Sequence, residues 1–334
     1  MKCSIPIRWT AAVLALMGLG LAVLPAAAQS DGDFQDEYAL QWGLEAINAG
    51  AAFDYLGERG LPSAGDGVVI AISDAGLDPT HPELSHAIQP GLKRGIKDNH
   101  GMFIAGIIAA AEDGRGMAGV APGAVLVPID EDVAAHIAQA AEMGARVISM
   151  SWADDASPDL EAALKTAASY DAVLVTSGGQ GDEPGHQWPI GYASDPEIGG
   201  QMIVTVAIDQ ARRLVSFGCG QRPQAQIEYC LAAPGEQITG AVAAGFEGNE
   251  SGLFYEDGIT LARDGGTSYA TPFVAASAAI LRAARPDLSA ADVVSILLQS
   301  AARIHAPGED PGYLSPSYGW GVLDLNAAAR MAVR

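Results

Sequence analysis

Five short stretches of the chain, 68–73, 124–129, 146–152, 172–177 and 202–208, are apolar at nearly every position and rich in Val and Ile. A strand with one wet face alternates apolar and polar residues, so strands without that alternation must be covered on both sides. Ala-rich helical stretches lie between and after them, at 102–111, 133–143, 160–168, 272–284, 290–302 and 326–332. The expected fold class is therefore α/β, a mostly parallel central sheet with helices on both faces. With 334 residues and 49% hydrophobic side chains the chain has ample material for that core. Segments 178–200 and 235–266 are Gly-rich and are expected to be irregular surface loops that shape a cleft. Forty acidic against 18 basic side chains give a net charge of −22, which repels phosphate backbones and anionic lipid, so nucleic acid is excluded as a partner.

The first residues are set apart from the fold. Lys2 and Arg8 precede an apolar run over 11–24, followed by Pro25 and Ala26-Ala27-Ala28. This is the order of a signal peptide cut after Ala28. An uncleaved anchor is the alternative, against which the run is short for a bilayer; no later segment is expected to span one. Residues 29–334 then form one domain, with 29–65 as a lead-in too short to hold a full folding propeptide. Removing 1–28 takes away two basic groups and leaves 16 basic and 40 acidic ones, a balance of −24 on a secreted or periplasmic protein. It also removes Cys3, leaving Cys219 and Cys230 as an even pair that reads as one disulfide in an oxidising compartment, or else as two buried thiols.

In open α/β sheets chemistry gathers where strands end and helices begin, and three such junctions carry reactive side chains. Asp74 opens Asp74-Ala75-Gly76 at the exit of the first strand, a sequence that also serves as a plain turn. His100 stands in the loop Asp98-Asn99-His100-Gly101 before an apolar helix, where an isolated imidazole has no necessary role. Gly101, Ala105 and Gly106 imply close packing of that helix start. Ser268 lies in Gly265-Gly266-Thr267-Ser268-Tyr269-Ala270-Thr271-Pro272, ahead of a helix apolar nearly all round. A serine there reads as an N-cap, or as a hydroxyl presented to a cleft beside unpaired backbone N–H groups.

Together the three junctions supply an acid, a base and a nucleophile in the order Asp, His, Ser. Here the chain resembles the subtilisin-like serine peptidases, through Ile72-Ser73-Asp74-Ala75-Gly76, His81-Pro82-Glu83-Leu84, His100-Gly101, Gly119-Val120-Ala121-Pro122, Ala233-Pro234-Gly235 and Gly266-Thr267-Ser268. Gln41-Trp42-Gly43-Leu44 and the stretch from Tyr229 to Gly235 further resemble the passenger peptidases of autotransporters. The resemblance implies a subtilisin-like three-layer fold and a secreted serine endopeptidase acting on polypeptides. In it Ser268 attacks the carbonyl, His100 carries the proton and Asp74 holds the imidazole. It also implies that Ser151, Trp152 and Ala153 pair with extended substrate, with Ser177 and Gly178 as the other wall; Trp152 equally reads as a core residue.

The family's oxyanion asparagine is missing. Straight alignment puts Gly179 there, and Gln180 offers the same amide one position later on a longer stem. A subtilase-shaped binding protein with weak or lost catalysis is thus the competing reading, and an esterase a weaker one, since no Gly-x-Ser-x-Gly elbow occurs. Met102-Phe103 also depart from the family's usual pair, which predicts altered packing without loss of the reaction. The spacing of His81, His86, His136, His186 and His305 argues for no metal. No cofactor is called for; relatives use calcium, yet no ligand loop of defined spacing assigns it a site.

Overall fold

The computed structural model describes residues 37, 38, 41–89, 99–129, 133–179, 189–198, 200–221, 227–243, 253–256 and 258–334. The signal-peptide reading and Gln180 lie outside them. In chain order the elements are α1 (Trp42–Ala46), α2 (Ala49–Gly57), β1 (Val69–Ser73), α3 (His100–Ala109), β2 (Val125–Ile129), α4 (Val133–Glu142), β3 (Val147–Met150), α5 (Pro158–Ser169), β4 (Val173–Ser177) and β5 (Met202–Ile208). They continue with β6 (Cys230–Pro234), β7 (Ile238–Ala241), β8 (Phe254–Glu256), β9 (Ile259–Asp264), α6 (Thr267–Ala284), α7 (Ala290–Gln299) and α8 (Leu325–Ala332).

All five apolar runs become strands of one parallel sheet ordered β2-β1-β3-β4-β5-β6. Covering both faces requires that successive residues of one strand enter different cores, and they do. Ile70, Ile72, Val173 and Val175 pack on one side with α3, α6, α7 and α8, while Ala71, Leu174, Val204 and Val206 pack on the other with α4 and α5. The longest helix, α6, is buried at almost every position, which its lack of a polar stripe dictates.

One expectation needs correction. The segment expected to be irregular over 235–266 contains a second sheet, ordered β7-β9-β8 and antiparallel, while the parallel sheet gains a sixth strand, β6, beyond the five runs. Gly240 in β7 has no side chain, since a Cβ there would strike the Phe103 ring, and this interrupts any apolar alternation along the strand. The lead-in contains α1 and α2. Cys219 and Cys230 are joined as a disulfide, their Cα atoms 5.9 Å apart.

Candidate active site

Asp74 follows directly on β1, and its N–H donates to the carbonyl of Ile129 at 3.0 Å, so the neighbouring strand fixes its place. β1 lies where the strand order turns back, between β2 and β3, the position at which strand ends open a crevice. Asp74 Oδ1 accepts the N–H of Ala75 at 2.8 Å, and both carboxylate oxygens face Nδ1 of His100, at 2.8 and 2.9 Å. The carboxylate side chain is 5% exposed and the imidazole 32%. An ionised carboxylate only accepts, so with Asp74 ionised the proton belongs on Nδ1, and in a neutral ring Nε2 then holds the lone pair.

His100 begins α3 rather than preceding it. Gly101 makes this possible, since a Cβ there would run into the carbonyl of Ala75. Asn99 is held as the turn enters the helix, its Oδ1 accepting the N–H of Ala243 at 3.0 Å. Met102 and Phe103 are buried at the start of α3: the N–H of Asp78 lies 3.0 Å from Sδ of Met102, and the Phe103 ring meets Tyr269 at 4.6 Å between centroids.

Ser268 does not cap α6. The cap position is Gly266 and has no side-chain bond, while Ser268 lies inside the first turn. The start of the helix is set by a relay of backbone bonds, Gly266 N–H to Gly235 O at 2.6 Å and Gly235 N–H to Ile208 O at 3.0 Å. Pro272 then matters four residues beyond Ser268. It has no N–H, so the Ser268 carbonyl lacks its intrahelical donor. Ser151 Oγ donates to that carbonyl at 2.9 Å, and Ser268 Oγ donates in return to the carbonyl of Ser151 at 3.0 Å. This two-bond clasp joins the end of β3 to the head of α6.

The residues read as substrate walls gather around it. Trp152 is half-buried against the core and donates Nε1–H to Ser73 Oγ at 3.0 Å, so it is both a core residue and a neighbour of the Asp74 turn. Ala153 follows it, half-buried. Ser177 Oγ donates to the Trp152 carbonyl at 3.2 Å, and Gly178 N–H to Thr205 O at 2.7 Å. Gly179 has φ 79°, a conformation that favours glycine and accounts for its identity there. Thr205 Oγ1 lies 2.7 Å from Thr271 Oγ1, a buried pair that ties β5 to α6 beneath the site.

Three features were assigned no functional role by sequence reasoning. Glu37 and Glu83 are buried carboxyls. Oε1 of Glu37 accepts the N–H groups of Arg115 and Asp113 at 2.8 and 3.1 Å, Oε1 of Glu83 accepts that of Met117 at 3.4 Å, and among the described residues neither Oε2 atom has a partner. Burial above all pushes the Glu83 carboxyl up to about 8 and also raises that of Glu37. Among the described residues no group of three or more His, Cys, Asp or Glu could hold a metal. His81, also buried, accepts the N–H of Glu83 on Nδ1 at 3.2 Å, and burial lowers its pKa. The third feature is the bond from Tyr269 to Asp264, at 2.7 Å.

Comparison with known proteins agrees with this architecture. The model of the subtilase family of peptidases matches residues 65–321. Fervidolysin of Fervidobacterium pennivorans is 28% identical over 334 aligned residues, covering 89% of this chain and 44% of the relative. Its crystal structure, described as that of a keratinolytic enzyme related to subtilisin, superposes with a TM-score of 0.72 over 87% of this chain and 45% of that one. This chain therefore spans less than half of fervidolysin. Subtilisin BL of Lederbergia lenta is 27% identical over 87% of this chain and 99% of its own length. The intracellular serine protease of Paenibacillus polymyxa is 30% identical over 72% of each chain. With the family match spanning most of the sequence and a subtilisin-related structure sharing its fold, the chain belongs to the subtilase family.

Proposed function

We propose that this subtilase is a secreted serine endopeptidase in which Ser268 is the nucleophile, His100 the general base and Asp74 the group that orients the imidazole. The carrying observation is the seating of both Asp74 oxygens on Nδ1 of His100, at 2.8 and 2.9 Å, beside the helix start that bears Ser268. Ser268 Oγ attacks the peptide carbonyl while its proton passes to Nε2 of His100. The imidazolium that forms is stabilised by the Asp74 carboxylate. Collapse of the tetrahedral intermediate breaks the C–N bond, the proton moves to the leaving amine, and an ester on Ser268 remains. Water, deprotonated by the same imidazole, then releases the acid.

The oxyanion is received by backbone N–H at the first turn of α6, where helix geometry supplies no intrahelical acceptor, together with the side-chain amide of Gln180. One such donor contributes about 2.7 to 4 kcal/mol, on the order of a hundred- to a thousandfold in rate. Substrate backbone runs between Ser151-Trp152-Ala153 and Ser177-Gly178, and residues 1–28 direct export.

A fluorophosphonate probe tests the reading. The expected result is labelling of the parent, none of Ser268→Ala, and hundredfold or slower labelling of Gln180→Ala. Well-folded parent protein that takes up no label would sink the proposal in favour of a binding protein.

A further inference from the structure

Next to Ser268, Tyr269 makes three contacts that its position in the motif does not require. Its ring centroid stands 5.6 Å from that of His100 at 49° and 4.6 Å from that of Phe103 at 50°, so it is wedged between the imidazole and a buried phenyl ring. Both are tilted arrangements within the range of favourable ring pairs. Its hydroxyl donates to Oδ2 of Asp264 at 2.7 Å, and Oδ1 of that carboxylate accepts the N–H of Gly265 at 2.7 Å. Asp264 is the last residue of β9. Phe103 in turn lies against Gly240 of β7, where a Cβ would strike the ring. The antiparallel sheet thus supplies both the anchor for the phenol and the floor beneath the phenyl ring.

We propose that Tyr269, tethered through its hydroxyl to Asp264, is a positioning residue that fixes the tilt of the His100 imidazole. This rests on the reading of His100 as the general base. The Asp74 carboxylate restrains Nδ1 but leaves the ring able to rock about that hydrogen bond. A ring packed against the imidazole removes this freedom, and its own freedom is removed by the charge-assisted bond to Asp264. Since a displaced base weakens proton transfer far more than substrate binding, the tether should act on kcat rather than on KM.

Tyr269→Phe keeps the wedge and removes the tether, and Asp264→Asn weakens the same bond from its other end. Each should lower the fluorophosphonate labelling rate about tenfold, the magnitude of a small misplacement of a catalytic group. The double variant should be no slower than either single one, because both remove one interaction. Peptide hydrolysis should show the loss in kcat with KM unchanged. In protein carrying 15N-histidine, the Nδ1–H signal of His100, assigned by its absence in His100→Gln, should be sharp in the parent and broadened in both variants. Labelling rates and imidazole spectra equal to those of the parent would overturn the proposal. Broadened imidazole spectra in a series whose parent takes up no label would leave the brace standing and refute the endopeptidase reading instead.

Discussion

Glu83 gives the sharpest test of how the interior of this protein is built. It is 1% exposed, one carboxyl oxygen lies on the Met117 N–H at 3.4 Å, the other has no partner among the described residues, and the nearby charges include Glu37, Asp113 and Arg115. Burial dominates and drives the folded-state pKa from 4.5 to about 8. The folded protein therefore holds a proton that the unfolded chain has released. Stability from this group is fully present below pH 4.5 and is lost as pH rises through about 8. The slope is about 1.4 kcal/mol per pH unit, which sets an upper limit of about 4 kcal/mol between pH 5 and 8; water reaching the ionised carboxylate reduces it. Glu83→Gln imitates the neutral form, keeps an oxygen for Met117 and has no proton to lose. Urea unfolding of the parent and of Glu83→Gln, both with Ser268→Ala to prevent self-cleavage, should be followed at pH 5, 6, 7 and 8. The difference between them should shift steadily in favour of the variant as pH rises. Parallel curves would show that Glu83 is ionised in the folded state and refute the reasoning.

Other outcomes follow from the same geometry. Gly101→Ala should push the start of α3 away from Ala75 and stretch the Asp74–His100 bond, lowering the labelling rate about a hundredfold, with circular dichroism checking that the fold persists. The Cys219–Cys230 disulfide closes a loop with a sequence separation of 11. Replacing both cysteines by Ser should cost about 2 to 3 kcal/mol, read from urea midpoints. If His100 acts as the base it must be neutral, so the labelling rate should fall as the ring is protonated at acid pH; a flat profile measured by stopped assay would count against it.

Much of this was legible along the chain. Strands covered on both faces have no choice but to be apolar at successive positions, so the five runs declared both the parallel sheet and its two helical layers before any contact was known. The motif around Ser268 and the turn after β1 stood out through their resemblance to a known family, whereas read alone they were an N-cap and a plain turn. The starts of α3 and α6 were harder. His100 and Ser268 read as loop and cap residues, since the contacts that draw them into helices, Gly101 against Ala75 and Gly266 on Gly235, come from distant parts of the chain.

Beyond local pattern the sequence falls silent for a physical reason. A hydrogen bond or ring contact between residues far apart imposes no periodicity on either segment. The Ser151–Ser268 clasp, which meets the need created by Pro272, spans 117 positions. The β7-β9-β8 sheet rests on Gly240 beneath a ring from α3, and Glu37 and Glu83 are hidden by backbone from 113–117. Residue types along the chain determined the layers, and the resemblance to a known family named the reactive groups. Folding in three dimensions decided which neighbours fix the angle of the imidazole and which carboxyls lose their water, because orientation and desolvation belong to the assembled surroundings of a side chain and not to its place along the chain.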